Sequence, residues 1–317
     1  FLKPGLEDLA VSRTSFTWGI PVEFDPGHIV YVWIDALSNY ISALGYGSGD
    51  DSLFQKYWPA DVHVVGKEIV RFHSIIWPAM LMALDLPLPK QIFGHGWLVI
   101  NGGKMSKSVG NVVDPNVLVE KYGVDAIRYF LLREIAFGQD GNFSNEALIQ
   151  RINSDLANDL GNLVSRTVGM IESYFAGTLP EDRSATEYDA DLVQTAKTAV
   201  SKVEEAMDKM MFSDALTELW NLIRRTNKYI DETQPWILIK EEQNRPVLAN
   251  ALYHVAESIR IISILLQPFM PNTPQLIYKQ LHIEEGELTA WESAKQWGKL
   301  PKTLSVEKAK AIFPRID

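Results

Sequence analysis

The hydrophobic periodicity of this 317-residue chain changes character once, and that change limits the fold more than any other feature. From Phe1 to about Gly94, short β-branched runs alternate with helical stretches, the pattern of strand-helix units on a parallel sheet. By Ser144 the apolar spacing is helical almost throughout. Residues 28–33 (His-Ile-Val-Tyr-Val-Trp) read as a buried strand, followed by Asp35 as N-cap of a helix ending at Gly45. Residues 62–65 read as the next strand. Gly66 then opens a helix with Ile69, Phe72, His73, Ile76 and Met80 at three- and four-residue spacing, stopped by Pro87 and Pro89, and residues 91–93 return as a strand. Such crossovers build doubly wound sheets, whose ligands sit outside the strands' carboxyl ends.

Further on, residues 97–100 form another apolar run, and Asn101-Gly102 suits a tight hairpin turn. Asp114-Pro115 starts a helix, and Ser144 caps a long one running to about Phe175. Residues 190–211, with Leu192, Ala196, Val203, Met207 and Met210 on one face, and residues 213–232 give two more. Leu248, Leu252, Val255, Ile259, Ile262 and Leu266 mark a fourth, stopped by Pro268, and Thr273-Pro274 starts another. The chain is thus expected to be α/β followed by an all-α bundle.

Thirty basic against forty acidic residues leave a net charge of -10, which argues against coating nucleic acid by bulk electrostatics, so any RNA contact is expected to be local. The apolar runs 74–84 and 261–266 are too short to cross a bilayer, no secretory signal opens the chain, and no membrane partner is expected. Cysteine is absent, which excludes disulfides and thiolate metal sites and suits a reducing cytoplasm. Position 1 is Phe rather than Met, so a piece of a longer protein is expected.

Three residue groups follow the three strands: Trp33, Ala36 and Tyr40; Gly66, Lys67 and Glu68; His95, Gly96 and Trp97. Ile69, His73 and Trp77 recur every four residues and so share a helix face. Singly, the aromatics and His73 read as core packing; together, at the ligand edge of one sheet, they read as a pocket of rings with one imidazole. Lys104-Met-Ser-Lys-Ser108 follows on a glycine-flanked loop, where two flexible point charges can track a triphosphate as its charge rearranges. On the long helix Asn158, Asn162 and Arg166 recur every four residues opposite Leu156, Leu160, Leu163, Thr167 and Ile171. That stripe is either a solvated face or a reader of unpaired base edges, and Trp236, after Pro235, is either core or a ring for stacking on a base.

Lys104 to Ser108 matches verbatim the second signature of the class I aminoacyl-tRNA synthetases, and within that class the chain resembles methionyl-tRNA synthetase. The blocks that carry the resemblance are Tyr31-Val-Trp-Ile-Asp-Ala-Leu-Ser-Asn-Tyr40, Gly66-Lys-Glu-Ile69 with His73, and His95-Gly-Trp97. The resemblance implies the C-terminal half of a Rossmann-type catalytic domain over residues 1–98, a lysine-loop region over 99–150, and an α-helical anticodon-binding domain over 151–317. It implies that Trp33, Ala36, Leu37, Tyr40, Ile69 and His73 line the methionine pocket, and that Gly66, Lys67, Glu68, His95 and Leu98 hold the adenosine of ATP. Lys104 and Lys107 would stabilise the pyrophosphate leaving group, with Mg2+ arriving on ATP and no metal site in this chain. Asn158, Asn162, Arg166 and Trp236 would bind the CAU anticodon of tRNA(Met). Leu37 stands where some relatives have proline, and the family's first signature, of His-Ile-Gly-His type, is absent from the sequence. Two rival readings share these features: a sister synthetase for leucine, isoleucine, valine or cysteine, and a non-catalytic RNA-binding module on a vestigial nucleotide fold.

Overall fold

A computed structural model describes residues 3, 5, 8–100, 103–105 and 112–316. The chain divides into two compact units, Phe1–Trp97 and Leu98–Asp317.

In the first unit β1 (Ser12–Arg13) pairs antiparallel with β2 (Ile29–Val30), and α1 (Val32–Ser42) follows at once. The strand expected over residues 28–33 is therefore cut short, and Asp35 is not the cap. Tyr31 takes that position, and Asp35 lies in the first helical turn, where its carboxylate faces the positive end of the helix dipole. Trp33, Leu37 and Ile41 recur every four residues. Burial of Leu37 and Ile41 in the core outweighs the strand propensity of the Tyr-Val-Trp-Ile run.

After α2 (Ser52–Tyr57), β3 (Val62–Gly66) lies parallel to β4 (Gln91–His95), in register from Val62 opposite Gln91 to Gly66 opposite His95. The crossover between them is a 3-10 turn (Lys67–Ile69), a π-helical segment (Phe72–Ile76) and α3 (Trp77–Ala83). Pro78 has no N–H for the carbonyl of Ser74, and the widened π turn directly ahead of it absorbs that loss. Leu37, Ile41, Phe54, Trp58, Phe72, Trp77 and Leu81 form the core of this unit.

The second unit begins with β5 (Leu98–Ile100), flanked by β6 (Gly103–Lys104), antiparallel, and β7 (Gly141–Phe143), parallel. Ile100 pairs with Gly103; the turn expected at Asn101-Gly102 lies outside the described residues. Between β5 and β7 run α4 (Pro115–Tyr122), whose Asp114 cap accepts the Asn116 N–H at 2.8 Å, and α5 (Val124–Glu134). Ser144 then caps α6 (Asn145–Arg151) by accepting the Ala147 N–H. Helix continues through a π segment (Ile152–Gly161) into α7 (Asn162–Phe175), where Ala176 in the left-handed region ends it. No proline or glycine within residues 152–160 announces that π segment.

The bundle is completed by α8 (Asp189–Asp208), α9 (Phe212–Thr233), α10 (Pro235–Leu238), α11 (Arg245–Leu266) and α12 (Thr273–Gln280), with the short β8 (Thr178–Leu179) paired to β9 (Leu304–Ser305). α11 packs on α7, α8, α9 and α12 and is buried almost throughout from Leu248 to Leu266. With the turn before it, this helix is long and apolar enough to cross a membrane, but 89% of its most apolar window is buried inside the bundle. Its two buried charges, Glu257 and Arg260, pair at 2.7 Å. Glu257 also accepts the backbone N–H groups of Gly298, Lys299 and Leu300, and Arg260 donates to Leu288, Ser293 and Gln296, so the pair holds the C-terminal segment onto the central helix.

Candidate functional site

Two sets of expected residues come together, one in each unit. In the first, α1 and the crossover after β3 present a cluster of rings. Trp33 stacks on Phe72 with centroids 3.9 Å apart and planes 10° from parallel. The Tyr40 hydroxyl is 2.9 Å from Nε2 of His73, whose Nδ1 is 3.0 Å from the Ile69 carbonyl oxygen. A carbonyl only accepts, so Nδ1 carries hydrogen, and in the neutral ring Nε2 accepts from Tyr40. Burial pushes the Tyr40 phenol up from its ordinary range and keeps it a donor.

His63, beneath this cluster, was not among the expected residues. It is 5% exposed, and the Trp77 indole N–H donates to its Nε2 at 3.2 Å. Indole nitrogen cannot accept, so this imidazole is neutral. Burial, then the nearby His73, holds its pKa below the usual histidine range. The signal for His63 was the two-residue alternation of β3, where His63 and Val65 are buried and Val64 is exposed. Phe72, also missed as a site residue, was legible as the neighbour of His73. Ala36 is exposed between Trp33 and Tyr40 on the helix face, Ile69 is half-buried, and Leu37 is fully buried behind them as core. Trp77, likewise fully buried, is core.

At the carboxyl ends of β3 and β4, Gly66 stands opposite His95. The Trp97 indole donates to Glu68 Oε2 at 2.9 Å, and the Lys67 ammonium lies 4.4 Å from the centre of the Trp97 ring. His95 Nδ1 donates to the Gly96 carbonyl at 2.8 Å, which makes Nε2 the acceptor face of the neutral ring. A Cβ on Gly94 would lie 2.5 Å from Val70 Cγ2, so glycine there lets the crossover pack against the strand. Leu98 belongs to the second unit, where it pairs with Gly141 and packs on the larger core. The Lys104 backbone pairs with Val99 in the hairpin; Lys107, Ser106 and Ser108 lie outside the described residues. Among the described residues no group of three His, Cys, Asp or Glu side chains is placed to hold a metal ion.

In the second unit, Arg166 and Trp236, seventy positions apart in sequence, line one open groove of about 410 Å³ with Gly169, Met170, Ser173 and Tyr174. Gln234, in the left-handed region, turns the chain so that α10 begins with Pro235 and Trp236 is left 41% exposed. Arg166 makes a 3.5 Å ion pair with the mostly exposed Asp231, a contact weak enough to exchange for a ligand. Asn158, in the π segment, and Asn162, at the start of α7, are exposed and do not line this groove. The lining residues missed from sequence sit three, four, seven and eight positions after Arg166, the spacing of one helix face.

Residues 1–168 match the family model described as tRNA synthetases class I (M), and residues 179–317 match the anticodon binding domain of methionyl tRNA ligase. The chain is 65% identical over its full length to the methionine-tRNA ligase of Caldanaerobacter subterraneus subsp. tengcongensis, covering 49% of that protein. It is 58% identical to that of Bacillus subtilis, covering 48%. The chain thus spans about half the length of the curated relatives it matches. A solved Mycobacterium tuberculosis methionyl-tRNA synthetase in complex with methionyl-adenylate is similar at TM-score 0.89 and 42% identity, covering 99% of this chain and 61% of that one.

Proposed function

This chain belongs to the methionyl-tRNA synthetase family, and from that premise we propose that it supplies part of a ligase that activates methionine with ATP and transfers it to tRNA(Met). The observation that carries the methionine reading is the ring cluster in which Trp33 stacks on Phe72 while Tyr40 meets His73. A thioether has no strong hydrogen-bonding group and gains most from polarizable ring contacts. In this reading Trp33, Ala36, Tyr40, Ile69 and His73 take the side chain, with Leu37 backing the wall. Gly66, Lys67, Glu68, His95 and Leu98 are assigned to the adenosine of ATP.

A methionine carboxylate oxygen attacks the α-phosphorus, the bond to the bridging oxygen breaks, and pyrophosphate leaves. Lys104 and Lys107 are the groups proposed to offset the charge that builds on it. No residue is assigned to Mg2+, which would enter as the counterion of ATP, and no step is derived through it. Residues 1–98 are assigned to the catalytic domain, 99–150 to the lysine-loop region and 151–317 to anticodon binding. Arg166 and Trp236 are the main readers of CAU, with Asn158 and Asn162 beside them, and the cytoplasm is the proposed compartment.

The test is amino-acid-dependent ATP-pyrophosphate exchange in the protein as the cell makes it. Methionine is expected to exceed leucine, isoleucine, valine and cysteine by about a hundredfold, the discrimination a shaped apolar pocket provides. Preference for any of the other four overturns the assignment, and exchange with none of them beside intact tRNA binding makes the chain a binding module.

A further inference from the structure

Gly169 lies in the middle of α7, where glycine is the least favourable residue after proline. Glycine persists inside helices where the backbone takes a positive φ or a neighbour packs too closely for a Cβ. Neither reason applies here. Gly169 is not among the positive-φ glycines, and a Cβ built on it meets no atom within 4 Å. By contrast, a Cβ on Gly94 or Gly141 would strike Val70 or Ile135 at 2.5 or 2.4 Å. The open space over Gly169 is the groove it shares with Arg166, one helical turn earlier, and with Trp236 across from it.

We propose that Gly169 is the floor of the base-reading groove, kept bare so that an unpaired nucleotide can lie against the helix backbone between the Arg166 guanidinium and the Trp236 ring. This rests on the reading of the groove as the anticodon site. An open groove 41% exposed at its tryptophan fits a flat base stacked on one side and hydrogen-bonded on the other. Any side chain at position 169 projects into the space the base occupies, so the residue sets affinity through shape alone.

The experiment uses the whole chain and a labelled RNA hairpin with a CAU loop, measuring binding and thermal unfolding for Gly169→Ala, Gly169→Leu, Arg166→Ala and Ser165→Leu. Ser165 is exposed on the same helix and does not line the groove. Gly169→Ala is expected to raise the unfolding temperature by a few degrees, about the gain from a better helix former, while weakening the hairpin several-fold. Gly169→Leu is expected to weaken it by about tenfold or more, the loss of one stacked base, and Ser165→Leu to leave it unchanged.

Opposite movement of stability and affinity in Gly169→Ala is the signature that a merely structural glycine does not produce. If Arg166→Ala weakens binding while both Gly169 variants bind like the parent, the inference falls and the anticodon reading stands. Loss of stability and binding together in Gly169→Ala, or an equal loss in Ser165→Leu, also overturns it. If Arg166→Ala binds the hairpin as the parent does, or the parent ignores the CAU loop, the anticodon reading fails and takes the inference with it.

Discussion

The two units bury their polar groups by opposite means. The first buries imidazoles: His63 and His73 sit among rings, and His63 is kept neutral by the indole N–H it accepts. The second buries carboxylates. Asp125 accepts from the backbone N–H of Asn272 and Thr273 and from both their side chains, which caps the start of α12. Asp189 accepts from Thr186, Tyr229 and Asn250, and Glu257 from Arg260 and three backbone N–H groups. Each carboxylate joins segments far apart in sequence and is satisfied by donors that only the folded chain supplies. Buried charge here holds architecture together, and a buried neutral imidazole, His63, lies beneath the ring cluster. A neutral imidazole costs less to bury than an ion.

The comparison can be broken most directly at Arg260. Arg260→Ala leaves Glu257 charged and buried, and should lower unfolding stability by about 3–5 kcal/mol, measured by denaturant unfolding. A loss under about 1 kcal/mol, the range of surface pairs, would remove the contrast. Smaller in effect, Tyr40→Phe deletes one hydrogen bond to His73 without opening a cavity. It should weaken methionine binding by about fivefold, the worth of roughly 1 kcal/mol, while leaving global stability within about 0.5 kcal/mol. A large stability loss would mean that the ring cluster is structural.

The smallest effect is the response to pH. The folded pKa of His63 lies below its unfolded value, so the folded state prefers the neutral ring. Stability from this group is complete above about pH 6.5 and declines as pH falls toward the folded pKa. For Asp189, burial pushes the carboxyl up, but hydrogen bonds from Thr186 and Tyr229 and the proximity of His254 outweigh it and lower the pKa. Its contribution is complete above about pH 3.9 and is lost only below that. Amide hydrogen exchange at pH 5 should therefore show earlier loosening around β3 than around α8. The reverse order would contradict the assignment of neutral and charged burial.

Local signals carried much of this structure. The Asp114 and Ser144 caps, the pairing of Ile100 with Gly103 and the boundaries of the bundle helices are decided by neighbours within a turn or two, and sequence shows them. The strand over residues 28–33 failed because its β-branched run also carries the four-residue spacing of Trp33, Leu37 and Ile41, and only the core decides between two periodicities that one segment satisfies. Within the proposed sites, Trp33, Tyr40 and His73 were legible in short sequence blocks; His63 and Phe72 had signals too, in the alternation of β3 and the place beside His73, but only packing showed that they join the ring cluster. The stripe of Asn158, Asn162 and Arg166 was read as one unit, yet the groove takes only Arg166 and runs the other way along α7.

By itself the sequence determined the class of most segments, the caps at Asp114 and Ser144, and the identity of the blocks that mark the family, because these follow from spacing and turn chemistry over a few residues. Tertiary structure alone decided which carboxylates became buried anchors, which imidazole lost its charge, and that Arg166 and Trp236 would share a groove over Gly169. Those outcomes depend on which distant surfaces exclude water together, and burial against remote partners is a free energy that no short window of sequence contains.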